Sequence, residues 1–182
     1  MKSKQEDWTW QEVAVTIRKF EKTDIPKKVE WINNPENNRF LHYDIPITVS
    51  GTEKWFDSHK GETCRYDAVI EADGVPVGTI GLLDIDFKNG KAEYYIAMGE
   101  TSYKGKGVAK EATKQILKYG FEELELNRIY LFTESENIGA QKMFERAGFK
   151  QEGLIRQDIK SHGKYADRFV YGFLKEDWIK CR

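Results

Sequence analysis

Three strand-like runs punctuated by two tight-turn dipeptides occupy the middle of this chain, and they limit its fold more than any other feature. Val77 to Phe87 and Ala92 to Met98 flank Asn89-Gly90, while Asp73-Gly74 follows an earlier strand that begins near Tyr66. Both dipeptides favour the positive backbone angles of two-residue hairpin turns. Three sequential antiparallel strands are therefore expected.

The last of these strands, Glu93-Tyr94-Tyr95-Ile96-Ala97-Met98, leads through a turn into Lys104-Gly105-Lys106-Gly107-Val108-Ala109. A long helix is predicted over Val108 to Leu124, with Ala109, Ala112, Ile116 and Tyr119 on one face and Leu117, Phe121 and Leu124 beside it. A strand that reaches a helix N-terminus through glycines gathers free N–H groups and the positive end of the helix dipole at one point. Such a point binds anions, and glycine lets the chain approach phosphate oxygens without a Cβ in the way. Lys104 and Lys106 add charge there. Alone, Gly-x-Gly before a helix reads equally as a flexible turn with solvated lysines. A dinucleotide fold would set the glycines inside a parallel strand–helix–strand unit, and a P-loop needs a Gly-Lys-Ser/Thr spacing that Gly105, Lys106 and Gly107 do not provide.

Around this centre, Val13 to Phe20 alternates as a half-buried strand, and Thr23 or Asp24 caps a helix with Pro26 in its first turn that stops near Asn33-Asn34-Pro35. A second short helix covers Glu53 to Phe56, capped by Ser50 or Thr52. Asn37 to Ile47 lacks periodicity and reads as a loop bordering a pocket, with Phe40, His42 and Tyr43 on it. Arg128 to Thr133 is apolar on both faces, as a buried central strand would be. Asn137 opens a helix bearing Ala140, Met143, Phe144 and Ala147, and Gly148 closes it. Strands around Phe149 to Ile159 and Tyr165 to Leu174 turn at Ser161-His162-Gly163.

The chain's 182 residues suit one domain, with a core from about 15 to 178 and an N-terminal extension over 1–12. A net charge of −1 provides no general attraction for nucleic acid or anionic membrane. No run approaches the ~20 apolar residues that span a bilayer. Met1 to Glu12 has no leader-like apolar stretch, so a cytoplasmic location is expected. Cys64, Cys181, His42, His59 and His162 are scattered, and neither a disulfide framework nor a metal site is expected.

The succession of strand, two helices, three antiparallel strands, glycine turn, helix, strand, Asn137-Ile138-Gly139-Ala140 and Gly148-Phe149 resembles the GNAT acetyltransferases from about Val15 to Trp178. The family signature Arg/Gln-x-x-Gly-x-Gly/Ala is matched at Gly107 and Ala109, with Lys104 in the first position, which keeps the cation and loses the planar fork. Trp31-Ile32-Asn33-Asn34-Pro35, Ala92 to Ile96, Glu152-Gly153 and Gly163 to Asp167 resemble the branch that acetylates ribosomal-protein alanines, polyamines and amino sugars.

The resemblance implies an α/β (α+β) GNAT fold: a mixed, mostly antiparallel sheet of six or seven strands flanked by about four helices, with one splayed parallel pair. It implies acetyl-CoA as donor. Lys104, Gly105, Lys106, Gly107, Val108 and Ala109 would hold the diphosphate, and the pantetheine arm would lie along Ile96, Ala97 and Met98, beside Asn137, Ala140 and Phe144. Asn137 reads as a helix cap, a contact to that arm, or both.

Glu93 is the leading candidate for the base, with Asp158 and Glu134 behind it, and an ordinary strand-edge glutamate is the other reading of Glu93. Many family members carry a tyrosine acid where this chain has Phe144, and some of the branch carry a serine where it has Ala140. The acceptor would be a small-molecule or peptide amine, gripped by Phe40, His42, Tyr43 and the tail from Arg156 to Tyr165, in a monomer or homodimer. An amino-sugar nucleotide acceptor is one alternative, and a non-catalytic acyl-CoA-binding module is another.

Overall fold

The computed structural model describes residues 13–181. The expected extension over 1–12 lies outside the described residues. Among the described residues, seven strands form one sheet: β1 (Val15–Lys19), β2 (Tyr66–Ala72), β3 (Val75–Asp86), β4 (Lys91–Met98), β5 (Arg128–Glu134), β6 (Lys150–Ser161) and β7 (Lys164–Leu174). Their spatial order is β1-β2-β3-β4-β5-β7-β6, antiparallel throughout except for β4 and β5.

Helices cover both faces. α1 (Ile25–Asn33), α2 (Pro35–Asn38) and α3 (Val49–Ser58) come before β2, α4 (Val108–Lys118) and α5 (Ile138–Ala147) flank β5, and α6 (Lys175–Lys180) ends the described chain. Apolar positions of α4 such as Ala112, Ile116 and Leu117 join Ile70, Leu82, Ala92, Tyr94, Ile129 and Leu131 of the sheet in the main core. A smaller cluster of Phe20, Ile25 and Val69, with Val29, Trp55 and Phe56, seats α1 and α3. The side chain of Gln115 on α4 accepts from Ile17 N–H at 3.1 Å and donates to the Val15 carbonyl at 2.8 Å, which occupies backbone groups of edge strand β1. Among the described residues, no helix is long and apolar enough to cross a membrane.

Several local expectations need correction. Asp73 and Gly74 take the φ values of +51° and +78° that a tight hairpin requires. Asn89-Gly90 does not form a two-residue turn: Asp86 pairs with Lys91, and only Gly90 of the dipeptide has a positive φ. The carboxylate of Asp86 accepts from Asn89 N–H at 2.9 Å, closing a local turn that lengthens the loop. α3 starts earlier than expected, capped by Thr48, whose hydroxyl accepts from Gly51 N–H at 3.1 Å. Thr52 instead lies inside the helix and donates to the Thr48 carbonyl. Asp24 stands at the start of α1 without capping it, because its carboxylate is held by Arg18 and by Glu21 N–H.

The long helix leaves α geometry at Lys118 and continues as a π turn over Tyr119–Glu123. There, a Cβ on Gly120 would come within 2.6 Å of Ile129. The four expected helices are joined by α2 and α6, and the latter packs Trp178 against Phe121 and Phe173.

Candidate active site

β4 and β5 pair at only three rungs, Lys91↔Arg128, Ala92↔Ile129 and Glu93↔Tyr130. Beyond Glu93 the partner of β4 among the described residues is β3 alone, up to Gly78↔Met98, so the strands part and one edge of β4 faces a gap. Backbone groups along such an edge suit an extended guest that can pair with them. Ile96, Ala97 and Met98 line the gap from one side, and Leu131 to Glu134 line it from the other. The gap belongs to a cleft of about 1460 Å³ that runs from the glycine turn to α1 and α3.

At the turn, Gly105 and Gly107 have φ of +78° and +80°, and a Cβ on either would meet nothing within 4 Å. These glycines therefore serve backbone conformation, not clearance. α4 begins at Gly107 with no side-chain cap, unlike α5, where Asn137 Oδ1 accepts from Ala140 N–H at 3.2 Å. The first intrahelical bond of α4 is Glu111 N–H to the Gly107 carbonyl, so the amides just before it lack helical acceptors.

Lys104 lines the cleft with Gly105, Gly107, Val108 and Ala109. Lys106 is not part of that wall, and its ammonium lies 5.3 Å over the Tyr103 ring. Lys110, Lys142 and Arg146, which the sequence reading passed over, add cations around the same end. Uncapped amides, clustered cations and an open strand edge fit a diphosphate with an extended amide-bearing tail.

Asn137, Ala140 and Phe144 line the opposite wall of the gap. Phe144 is buried, with its ring edge-on to Tyr94 at 5.9 Å. The Tyr94 hydroxyl is 2.8 Å from Thr113 Oγ1, and burial raises its pKa above the ordinary tyrosine value.

The other half of the cleft is built from side chains. Glu93 lies at the last paired rung, where the gap opens. Among the described residues it makes no side-chain hydrogen bond or ion pair. Burial pushes its carboxyl above the usual range and the nearby charge of Asp84 adds to this, against a smaller pull from Arg168.

The other two candidate bases are occupied. Asp158 is paired with Arg168, whose guanidinium lies 4.6 Å over the Phe132 ring. Glu134, 6% exposed, is 2.7 Å from His42 Nε2 and accepts from Ser161 Oγ at 3.0 Å. His162 Nε2 is 3.0 Å from the Arg39 carbonyl, so the loop bearing Phe40, His42 and Tyr43 is tied to the β6–β7 turn once directly and once through Glu134. Phe40, His42 and Tyr43 all line the cleft. Arg156, expected beside the acceptor, is not among the lining residues.

A further group was not foreseen. Arg65 donates to Asp67 through Nε at 2.7 Å and Nη2 at 3.1 Å, and the Tyr95 hydroxyl donates to Asp67 at 2.7 Å. Tyr95 reaches Asp67 by lying across Gly81, where a Cβ would come within 2.2 Å of the Tyr66 carbonyl oxygen and 2.6 Å of the Tyr95 ring. Lys28 of α1, only 7% exposed, holds its ammonium 3.7 Å over the Trp55 ring. Burial pushes its pKa down to about 8, partly opposed by Asp67. The only sequence signal for these residues was the strand period of β4, which sets Tyr95 on the same face as Glu93.

Comparison with known proteins agrees with this geometry. A family model described as an acetyltransferase (GNAT) domain matches residues 14–150. An uncharacterized N-acetyltransferase, p20, of Bacillus licheniformis is 30% identical over 169 residues, covering 90% of this chain and 94% of its own. Spermidine N(1)-acetyltransferase of Escherichia coli is 28% identical over 152 residues, covering 84% and 81%. Among solved structures, spermidine N-acetyltransferase from Vibrio cholerae in complex with CoA and spermine superposes with a TM-score of 0.85 at 24% identity, covering 91% of this chain and 98% of that one. With the splayed parallel pair and the glycine turn in place, this chain belongs to the GNAT acetyltransferase family, N-acetyltransferases whose donor is acetyl-CoA.

Proposed function

We propose that the cleft transfers the acetyl group of acetyl-CoA directly to a primary amine, and that Glu93 takes the proton the amine must lose. The observation that carries this reading is the position and state of Glu93: without a side-chain partner among the described residues, raised in pKa, and seated where β4 and β5 separate. A lysine-like amine has a pKa of about 10.4, so nearly all of it is ammonium at neutral pH and lacks the lone pair needed for attack. A carboxylate raised toward neutrality accepts that proton more readily than an ordinary one.

Amides from Gly105 to Ala109, with Lys104, would hold the diphosphate, and the open edge at Ile96 to Met98 with the wall at Asn137, Ala140 and Phe144 would align the tail. Acetyl-CoA supplies the thioester-activated acetyl group. Neither Ala140 nor Phe144 can donate a proton to sulfur, and a thiol of pKa about 8.5 needs no strong acid near neutrality.

The spermidine acetyltransferases among the relatives make polyamines one candidate acceptor class, beside peptide α-amines and amino sugars. The test is steady-state thiol release from acetyl-CoA with one amine of each class. Turnover with at least one amine, and a fall in kcat of about 10²-fold or more in Glu93→Gln, is expected. Binding of CoA with no turnover on any amine would overturn the reading in favour of a binding module.

A further inference from the structure

One end of the cleft, away from the glycine turn, gathers two cations, Lys28 and Arg65, on one aromatic ring. Lys28 Nζ and the Arg65 guanidinium lie 3.7 and 4.9 Å from the centre of the same Trp55 ring. The nearby carboxylate, Asp67, already accepts from Arg65 on both oxygens and from Tyr95. Lys28 itself has no hydrogen-bond or ion-pair partner among the described residues, is 7% exposed and lines the cleft. The Phe20 ring, 5.3 Å away, and Trp55 give it only cation–π contacts. Those contacts do not compensate for its burial, since its pKa is pushed down to about 8 despite the neighbouring carboxylate.

We propose that Lys28, with Arg65 and Trp55, forms an anion subsite, and that the acceptor is an amine carrying its own acidic group, a carboxylate or a phosphate. The proposal deepens the acetyl-transfer reading and rests on it for the amine end. Register sets the distance: Asp67 is level with Gly81 on β3, and Gly81 with Tyr95 on β4, two residues past Glu93. Two strand spacings put the subsite roughly 10 Å from β4. An acceptor with several methylenes between amine and acid spans much of that distance, with the side chains of Glu93 and Lys28 closing the rest. Tyr43 also lines this end, its hydroxyl raised in pKa by burial and by Asp67. An acid bound at Lys28 gives its ammonium the ion-pair partner that the described residues do not supply, whereas an amine with further ammonium groups would meet a like charge there.

The test compares matched acceptors in the thiol-release assay: 6-aminohexanoate against 6-aminohexanamide, phosphoethanolamine against ethanolamine, and spermidine. The acid-bearing member of at least one pair is expected to win in kcat/KM by about 10-fold or more. Lys28→Met should bring that ratio close to unity and Lys28→Arg should keep part of it. The pair with the larger ratio identifies carboxylate or phosphate as the acid.

Equal rates within both pairs, spermidine outrunning every acid-bearing amine, or a ratio unmoved by Lys28→Met would overturn the subsite. Calorimetric titration of the same pairs into the CoA-saturated protein reads the subsite without catalysis. A preference for the acid there, without turnover, would keep the subsite and sink acetyl transfer. No preference in either measurement would sink the subsite alone.

Discussion

The two halves of the cleft are made by different means. The half beside α4 and the β4–β5 gap is made of backbone: amides left without acceptors at an uncapped helix and a strand edge abandoned by its neighbour. The half beside α1, α3 and the Phe40-to-Tyr43 loop is made of side chains, joined in the Arg65–Asp67–Tyr95 and His42–Glu134–Ser161 groups. A backbone site recognises what every donor in a family shares, because changing a side chain leaves its amides in place. A side-chain site can be altered residue by residue, which is what selecting among acceptors requires.

If this division holds, mutations in one half should leave the other half's ligand alone. The largest effect expected is on the step between them. Glu93→Gln should lower kcat by about 10²-fold or more while the affinity for acetyl-CoA stays within a factor of about 2. The acid limb of kcat/KM in the parent protein should inflect above the ordinary glutamate value of 4.5, because burial and Asp84 both raise this carboxyl, and the limb should vanish in the variant. A pH–rate series on both proteins checks this.

A smaller effect is expected from Gly81→Ala, whose Cβ would run into the Tyr66 carbonyl and the Tyr95 ring. Overpacking of this kind costs about 1–3 kcal/mol, and it shifts Tyr95 off Asp67. The unfolding temperature should fall and the acceptor KM should rise by about 10-fold, with the KM for acetyl-CoA nearly unchanged. Parallel rises in both KM values would break the comparison.

The smallest effect concerns stability. A carboxyl raised in the folded state opposes folding once pH passes its unfolded value, and the penalty is complete above its folded value. Glu93→Gln should therefore melt slightly higher than the parent at pH 7, and the gain should shrink as pH falls toward 4.5. Melting curves at several pH values would show it.

The same division explains what could be read in advance. Gly105, Gly107 and the start of α4 are neighbours in the chain, so turn chemistry and helical period sufficed to find them. The Asn137 cap and the Gly148 stop of α5 are equally local. The Tyr95–Asp67 bond joins residues 28 apart and needs the register of β2, β3 and β4 to exist. Lys28 carries no signal of its own in the sequence, because its surroundings depend on Trp55 arriving from α3. Even Thr48 was missed as a cap, since Ser50 and Thr52 offered the same chemistry two and four residues later and only the folded turn decides among them.

The claim on which all this depends is that the backbone at the start of α4 holds the donor. Calorimetric titration of acetyl-CoA into the parent protein and into Gly107→Val tests it most directly, because valine resists a φ of +80° while a Cβ at that position meets no described atom within 4 Å. The account predicts one-to-one binding in the parent and a loss of about 10²-fold in affinity in the variant, with the fold retained by circular dichroism. Equal affinity in the two proteins, or no heat with the parent, would contradict it.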